Sequence, residues 1–403
     1  MKSARWFTCT PVAFGGGPDF FARDSGLLCR AFQSLGIESR AVMPGTRQPG
    51  DEPDLIRVDF PQLESATWWK ELRLDGVVLY AWGRPKFRKV AKAIHEAGIF
   101  LVLNQDSGGL VSPLNGPIKW LKEQWVLAGA GRDAASVFRF LKLSLRGFSV
   151  GLFLTDPLRA SHLKQGNVIA CVSPLAASHY RRLCRLYGGK TLAARVAVIP
   201  HAVEPRFQYS GAEKRRQIAC VGRWDDEVQK RPRLLMACVD SLLRADAGLV
   251  VAIAGRPTPE LEAWQAGLPP GQRDRVKLLG NIDRAALARL LEESQVFYSP
   301  SAFESFGIAA GEALCAGCSV VAQHSLSMAA FEWFVSANSG TLAEGGNVVA
   351  HVQAIQTELD AWASGARIPA EIARHWGERL HATQVAAKIL AKGLSKKASD
   401  GRF

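Results

Sequence analysis

Residues 298–322 read YSPSAFESFGIAAGEALCAGCSVVA and decide the fold that this sequence predicts. The apolar residues up to Tyr298 are typical of a buried strand, and the small and polar residues after it indicate a loop. A helix is predicted over 308–316, because this run is rich in helix formers and is followed by Gly317. The apolar run 318–322 predicts the next strand. This order of elements is typical of a parallel sheet covered by helices.

Two carboxylates in this stretch, Glu304 and Glu312, are separated by seven residues. The predicted helix begins after Gly307, where unpaired backbone N–H groups and the positive end of the helix dipole favour a phosphate. A glycine at that point lets a ligand approach the backbone closely. Glu304 would lie in the loop beside the phosphate, and Glu312 would project from the helix. Taken alone, the two glutamates also fit the solvated face of a surface helix.

The pattern of these residues resembles the E-x7-E signature of glycosyltransferase family 4, a family of retaining enzymes with the GT-B fold. The resemblance implies an α/β protein in which two Rossmann-like, doubly wound domains face each other across a cleft. It implies that Glu312 holds the ribose hydroxyls of a nucleotide sugar and that Glu304 lies near the donor sugar. The residues that would meet the donor diphosphate are then Ser305, Phe306, Gly307 and Ile308.

The segment CVGRWDDEVQKRP places Gly222, Arg223 and Lys230 just after a predicted strand. A donor diphosphate gains negative charge as the glycosidic bond breaks, so two fixed cations would stabilise the transition state more than the ground state. Two solvated basic residues are the alternative interpretation. The run resembles the family pattern in which Gly-Arg is followed several residues later by Lys, which implies that Arg223 and Lys230 act on the diphosphate.

Three further places in the N-terminal half are candidates for the site. The glycine-rich loop FGGGPDF lacks the dinucleotide fingerprint, but the family resemblance implies that such a loop approaches the donor phosphate, here through Gly16 and Gly17. Asp106 follows a predicted strand and would orient or deprotonate an acceptor hydroxyl, or else serve in a turn. His201 stands where the family usually has Asn, so it is either a ligand contact or part of the strand-to-linker structure.

Strands and amphipathic helices alternate in two series along the chain, which predicts two parallel sheets. The first series includes a strand over 76–80, and a Pro-containing linker follows at 204–210. The second series begins at Gln217, and Asp283 is predicted to cap one of its helices. We therefore predict an acceptor-binding domain over 1–205 and a nucleotide-sugar domain over 206–375. A C-terminal helix over 376–403 would pack back on the first domain, with its last ten residues frayed.

Composition limits the class of protein. With 48% hydrophobic and 22% charged residues, the chain is typical of a globular protein. It has no apolar run long enough to span a membrane and no convincing export signal near its N-terminus, which predicts a cytoplasmic protein. Its eight cysteines lie mostly in apolar contexts, as expected for reduced, buried thiols. Cys315 and Cys318 form a C-x-x-C pair, but no second pair stands at zinc spacing, so a structural role is predicted.

The net charge of +13 favours anionic partners. Residues 119–148 interleave Trp and Phe with Lys and Arg, a composition typical of a surface that lies on an anionic membrane. The predicted place of such a protein is the inner face of the membrane. An ordinary pair of packed helices with a solvated basic face is the alternative.

The leading prediction is a metal-independent hexosyltransferase. It would move a sugar from a UDP- or GDP-sugar, the family's common donors, to a hydroxyl of a glycan, polysaccharide or glycolipid. No Asp-x-Asp stands at a predicted strand end to hold a divalent ion, and neither a separate cofactor nor a nucleic-acid partner is predicted. The alternatives are a sugar-nucleotide epimerase or hydrolase of the same fold, and a non-catalytic basic protein that binds membrane or nucleic acid. A non-catalytic module would not need the full set of Arg223, Lys230, Glu304 and Glu312.

Overall fold

The computed structural model describes residues 4–129, 133–336 and 338–399, and the chain divides into two compact units. Unit 1 comprises Met1–Glu204 and His381–Phe403, whereas unit 2 comprises Pro205–Leu380. The first division lies one residue from the predicted position. The second falls at Leu380 and not at residue 375, because 375 lies within a helix of unit 2.

Unit 1 contains a seven-stranded sheet in the order β3-β2-β1-β4-β5-β6-β7, and its paired strands are parallel. Its strands are β1 (Trp6–Cys9), β2 (Ala41–Pro44), β3 (Leu55–Val58), β4 (Gly76–Tyr80), β5 (Phe100–Gln105), β6 (Val168–Cys171) and β7 (Val196–Val198). The predicted strand over 76–80 has the same bounds as β4. All five residues of β4 are buried, as expected for a central strand with both faces covered.

The helices of unit 1 connect and cover these strands. They are α1 (Pro18–Phe21), α2 (Asp24–Ser34), α3 (Phe60–Leu63), α4 (Ala66–Glu71), α5 (Arg88–Glu96), α6 (Pro117–Leu127), α7 (Ala134–Arg146), α8 (Asp156–Gln165) and α9 (Pro174–Ala194). A π-helix, Gly147–Thr155, joins α7 to α8. Helix α2 begins at Asp24, whose φ of +50° is unusual for a residue with a side chain.

Unit 2 contains a six-stranded parallel sheet in the order β10-β9-β8-β11-β12-β13. Its strands are β8 (Arg215–Val221), β9 (Val250–Ala254), β10 (Val276–Gly280), β11 (Ser294–Ser299), β12 (Ser319–Gln323) and β13 (Gly340–Ala343). Its helices are α10 (Pro232–Ala245), α11 (Pro259–Gly267), α12 (Pro270–Arg273), α13 (Arg284–Glu293), α14 (Ile308–Cys315), α15 (Phe331–Val335), α16 (Val348–Ala363) and α17 (Pro369–Leu380). Asp283 caps α13 as predicted, with its side chain accepting from the Ala286 N–H at 2.7 Å.

The two sheets share one strand order, in which the chain begins in the middle, moves to one edge, and then returns to build the other half. This is the doubly wound order of Rossmann-like domains, whose ligands bind where the strand order reverses. The predicted α/β class with two Rossmann-like units is confirmed. In unit 2 the reversal lies between β8 and β11, and the residues after these two strands include Gly222 and Glu304.

The last helix, α18 (Ala382–Ser399), belongs to unit 1 and packs against α2. Ala386 and Ile389 lie in the same buried cluster as Trp6 and Phe32. Gly393 lies directly against Trp6, since an added Cβ would stand 2.6 Å from the indole ring. Of the ten residues predicted to be frayed, 394–399 are helical and 400–403 lie outside the described residues.

Two further predictions concern membranes and thiols. Among the described residues, no helix is both long and apolar enough to cross a membrane. All eight cysteines are buried and free, as the sequence predicted. Cys318 donates to the carbonyl oxygens of Leu291 and Ser294 at 2.8 and 3.1 Å, so it packs inside unit 2.

Candidate active site

Lys230 and Glu304 form the central pair of the candidate site in unit 2. The Lys230 ammonium donates to Oε1 of Glu304, and the Ser301 hydroxyl donates to the same oxygen at 3.1 Å. The two side chains are only 18% and 14% exposed, so this ion pair is sheltered from water. Such a pair is held more firmly than an exposed one, because solvent screens it less.

Backbone contacts fix the loops that carry this pair. The Ala302 N–H donates to the Gln229 carbonyl at 2.8 Å, and the Gln229 amide donates to the Phe303 carbonyl at 3.1 Å. On the other side, the Glu304 N–H donates to the Ser327 carbonyl at 2.8 Å, and the Glu304 carbonyl accepts from Ala329 at 3.1 Å. Glu304 is therefore held on both sides, so its carboxylate is positioned before any ligand arrives.

Arg223 and Gly222 lie in the same loop but are held differently. The Arg223 side chain is 73% exposed, and its Nη2 lies 3.3 Å from Oε1 of Gln229 and 3.6 Å from Oδ2 of Asp226. Gly222 lies against Gly255, since a Cβ added at Gly255 would stand 1.9 Å from the Gly222 carbonyl oxygen. The structure therefore shelters the Lys230 side chain in an ion pair and leaves most of the Arg223 side chain exposed.

The N-terminus of α14 lies directly after Glu304. Gly307 has a φ of +80°, and an added Cβ would stand 2.8 Å from the Phe331 ring, so a glycine is required there for both conformation and space. Phe306 is buried with its ring 5.2 Å from that of Phe334, so only its backbone is available to a phosphate. Ser305, Gly307 and Ile308 are half-buried. The first N–H groups of α14 have no partner within the helix, which suits an anion.

Glu312 is 3% exposed and makes an ion pair that the sequence did not reveal. Its Oε1 lies 2.8 Å from Nη1 of Arg284, the first residue of α13. The Arg284 guanidinium also lies over the Phe207 ring, 4.6 Å from its centre. The solvated-face interpretation of Glu312 is therefore wrong. No local pattern in the sequence indicates this pairing, because α13 and α14 are brought together only by the fold.

Arg231 is a second charged residue that the sequence did not single out. It follows Lys230 with a φ of +51°, and its guanidinium donates to Oε1 of Gln323 at 2.8 Å and to the Gly346 carbonyl. Burial lowers the pKa of Arg231, although an arginine stays protonated at neutral pH. Its guanidinium therefore contacts the last residue of β12 and the segment after β13. In the sequence, the only indication that Arg231 belongs to the site is its position next to Lys230.

Asp106 and His201 lie together in unit 1. Nε2 of His201 is 3.2 Å from Oδ1 of Asp106, and Nδ1 is 3.7 Å from Oδ1 of Asp24. Burial opposes protonation of His201, but the two carboxylates outweigh it and raise the pKa of His201 above its usual value. The Tyr80 ring lies 6.4 Å from the imidazole. His201 thus holds the Asp106 carboxylate in place. The sequence left His201 as either a ligand contact or a structural residue, and the structure shows it buried and paired with two carboxylates.

A cavity of about 410 Å³ lies in unit 1 beside this cluster. Its lining consists of Thr10, Phe14, Gly15, Asp19, Phe20, Arg23, Asp24, Ser25, Tyr80 and Trp82. The Phe14 and Trp82 rings meet edge to face at 6.1 Å, and Trp82 has a φ of +48°. Aromatic rings combined with carboxylates suit a ligand that has both apolar faces and hydroxyl groups.

The predicted loop glycines, Gly16 and Gly17, follow the lining residue Gly15 in the chain. A Cβ added at Gly16 would stand 2.2 Å from Leu55 and 2.3 Å from Asp51, so Gly16 is needed for packing. A Cβ added at Gly17 would stand 3.3 Å from the Gly50 carbonyl oxygen. Neither glycine is among the lining residues, which include Phe14 and Gly15 from the same loop.

Within the ranges 4–129, 133–336 and 338–399, no group of three His, Cys, Asp or Glu side chains has the arrangement of a metal site. The ion pairs described for Glu304 and Glu312 are with Lys230 and Arg284, respectively.

Residues 215–360 match the family model for glycosyl transferases, group 1. The similarity to this family therefore lies within unit 2. The matched segment runs from β8 to α16 and contains Arg223, Lys230, Glu304 and Glu312. The resemblance to glycosyltransferase family 4 is thereby confirmed for this segment. No curated protein matches the chain in sequence.

Several solved structures are similar to this chain over almost its whole length. The lipopolysaccharide outer core galactosyltransferase WaaB, in its apo form, is 14% identical with a TM-score of 0.62, covering 97% of this chain and 99% of its own. Anabaena Alr3699/HepE in complex with UDP and glucose is 15% identical with a TM-score of 0.60, covering 97% and 100%. A Listeria monocytogenes protein assigned as a UDP-N-acetylglucosamine 2-epimerase is 13% identical with a TM-score of 0.60, covering 100% and 99%. These similarities confirm the GT-B fold.

Proposed function

We propose that this chain is a group 1 glycosyltransferase, namely a retaining hexosyltransferase that uses a UDP- or GDP-sugar and glycosylates a hydroxyl of a glycan or glycolipid. The observation that carries the proposal is the sheltered Lys230–Glu304 pair, fixed by backbone contacts beside the N-terminus of α14. A phosphate, a fixed ammonium and a carboxylate next to a sugar are the groups that such a reaction needs. HepE, which shares the fold, was solved with UDP and glucose.

In this proposal, unit 2 binds the donor. The Lys230 ammonium and the exposed Arg223 guanidinium neutralise the diphosphate, whose oxygens also accept from the backbone of Ser305, Gly307 and Ile308. Gly222 lets the diphosphate approach the loop after β8. Glu312 accepts from the ribose hydroxyls. Since a carboxylate accepts several hydrogen bonds at once, Arg284 and a ribose can share it.

Unit 1 supplies the acceptor side. The cavity lined by Phe14 and Trp82 would hold the acceptor sugar, and Asp106 would orient or deprotonate its hydroxyl. The bond between the donor's anomeric carbon and the diphosphate oxygen breaks, and its electron pair leaves with the diphosphate. The acceptor oxygen forms the new bond to the same carbon. Its proton passes to Asp106 or to a departing phosphate oxygen.

The first experiment tests donor binding by thermal unfolding with a panel of UDP-, GDP- and ADP-sugars. A donor at about 100 times its dissociation constant stabilises the fold by roughly 2.7 kcal/mol, which gives a clear upward shift. Glu312→Ala should remove most of that shift, because each charge-assisted hydrogen bond contributes about 1.5–3 kcal/mol. Glu344→Ala is the matched control, since that carboxylate is exposed and pairs only with His324 among the contacts described.

Turnover separates the enzyme classes. With a suitable acceptor, the donor sugar should appear in a glycoside of unchanged anomeric configuration, and EDTA should leave the rate unchanged. Donor consumed at the same rate without acceptor would indicate a hydrolase, and conversion of the donor sugar into its epimer would indicate an epimerase. If no nucleotide sugar shifts the unfolding temperature, the donor assignment is wrong.

A further inference from the structure

Exposed apolar side chains are concentrated in one segment of unit 1. Of the twenty exposed large apolar side chains among the described residues, ten lie within residues 118–154. We call six of them the apolar ridge: Phe138, Leu141, Leu145, Phe148, Phe153 and Leu154. A surface this apolar is unusual for a protein that meets only water, and it indicates a binding surface.

Helix α7 carries the first half of the ridge as a stripe. At about 100° per residue, Phe138, Leu141 and Leu145 fall within one narrow sector of the helix. Arg139, Lys142 and Arg146 fall in the adjoining sector, so a basic stripe borders the apolar one. Ser136 is the one buried residue described in α7, so neither stripe faces the interior of unit 1.

The π-helix Gly147–Thr155 carries the second half of the ridge. None of its nine residues is buried, although its sequence GFSVGLFLT contains no charged residue. The Phe153 side chain is 83% exposed. Most π-helices are single turns and many lie at functional sites, so an apolar, exposed one of this length needs a partner to cover it.

The ridge is held in place from beneath by α6. The Trp125 and Phe140 rings pack at 5.4 Å, and the Trp120 and Phe148 rings pack at 5.4 Å. Gly147 lies directly on Trp120, since an added Cβ would stand 2.1 Å from its ring. These contacts anchor α7 and the π-helix on one side. The outer side is thus presented by a fixed scaffold.

We propose that the apolar ridge docks on an anionic lipid bilayer, with the ridge inserted among the acyl chains and the basic stripe at the headgroups. Residues 117–155 contain six Lys and Arg against two Asp and Glu. Burial also raises the pKa of Glu123 to about 7, so one of these acids is partly neutral at neutral pH. An apolar face bordered by cations is the arrangement that binds in the plane of such a membrane.

The same charges disfavour a second copy of the chain as the partner. A symmetric dimer brings the same surface of each copy together, so the basic stripe would meet its own image without an acidic counterpart. Anionic headgroups supply the missing negative charge. The proposal stands apart from the sugar-transfer function, because it rests on none of the residues assigned to the donor or the acceptor.

The test is sedimentation of the full chain with vesicles made of equal parts phosphatidylcholine and phosphatidylglycerol. The protein should pellet with these vesicles, and less with pure phosphatidylcholine. Salt should weaken the binding by screening the basic stripe. Converting Arg139, Lys142 and Arg146 to Glu should lower the partition by roughly a hundredfold, since each basic residue near such a surface contributes about fivefold.

The apolar part is tested by Leu145→Asp alone and by Phe138→Asp/Leu145→Asp/Phe153→Asp. Both should lose vesicle binding while keeping the circular dichroism and the donor-induced thermal shift of the parent chain. The matched control is Val349→Asp, which changes a side chain of 75% exposure in unit 2, against 73% for Leu145, and should bind as before.

Two results would overturn the proposal. One is a chain that stays in the supernatant with the anionic vesicles at low salt. The other is a dimer in solution that the ridge substitutions convert to a monomer with no change in vesicle binding, which would make the ridge a contact between copies of the chain.

Discussion

Helices α14 and α7 are both rich in apolar residues, but α14 is mostly buried and α7 is mostly exposed. In α14, six of eight residues are buried, because the helix packs against α13, α17 and the sheet of unit 2. In α7, one of thirteen residues is buried, because the helix packs mainly against α6 and the π-helix. An apolar sequence therefore does not determine burial. Burial depends on which elements the fold brings against the helix.

The largest expected difference between the two helices is in stability. Leu314→Ala in α14 removes a fully buried side chain and should lower the free energy of unfolding by about 2–5 kcal/mol. Leu145→Ala in α7 removes an exposed one and should change it by less than about 0.5 kcal/mol. Denaturant unfolding of both variants measures the two values. Equal losses would mean that α7 is buried in solution, and the contrast between the helices would fail.

A second prediction separates the two regions by function. Lys230→Ala should lower turnover by roughly a hundredfold or more, because it removes a fixed charge from the developing diphosphate and leaves Glu304 without its partner. Vesicle binding should be unaffected. Arg233→Ala is the control, since this nearby arginine is exposed and pairs with Glu260 at 3.1 Å. A Lys230→Ala enzyme with normal turnover would remove Lys230 from the site.

The smallest effect concerns two matched helix caps. Asp283 and Asp133 cap α13 and α7 in the same way, accepting from Ala286 at 2.7 Å and from Ser136 at 2.9 Å. Asp283→Ala should cost about 1 kcal/mol of global stability, because α13 is part of unit 2's packed structure. Asp133→Ala should leave global stability nearly unchanged and speed amide hydrogen exchange only within α7. A global loss of the same size in both would show that α7 unfolds together with unit 1.

The sequence predicted the features that depend on neighbouring residues. The strand β4, the cap at Asp283, and the helix start at Gly307 each follow from local composition and spacing. The pair Lys230–Glu304 was predicted only as two candidates, because 74 residues separate them. The partner of Glu312 was missed, since Arg284 reaches it through the packing of α13 on α14. Long-range pairing depends on the assembled sheet, which no local pattern contains.

The predicted C-terminal helix shows the same limit. The sequence suggested one helix returning to the first domain from residue 376, whereas the structure has α17 in unit 2 and α18 in unit 1. The two helices are separated at His381, whose backbone pairs with Val203. The helix breaks here because the chain passes from unit 2 to unit 1 at this point. Helical propensity alone would predict one continuous helix through His381.

The position of α18 has a consequence for how the protein is made on the ribosome. Ala386 and Ile389 fill the same core as Trp6, yet they are synthesised only after the whole of Pro205–Leu380. Unit 2 is continuous in the chain and can complete its core while translation proceeds, whereas the nascent unit 1 must wait with apolar surface uncovered. A premature stop near His381 would therefore damage the beginning of the protein, by leaving the first strand and α2 without the helix that covers them.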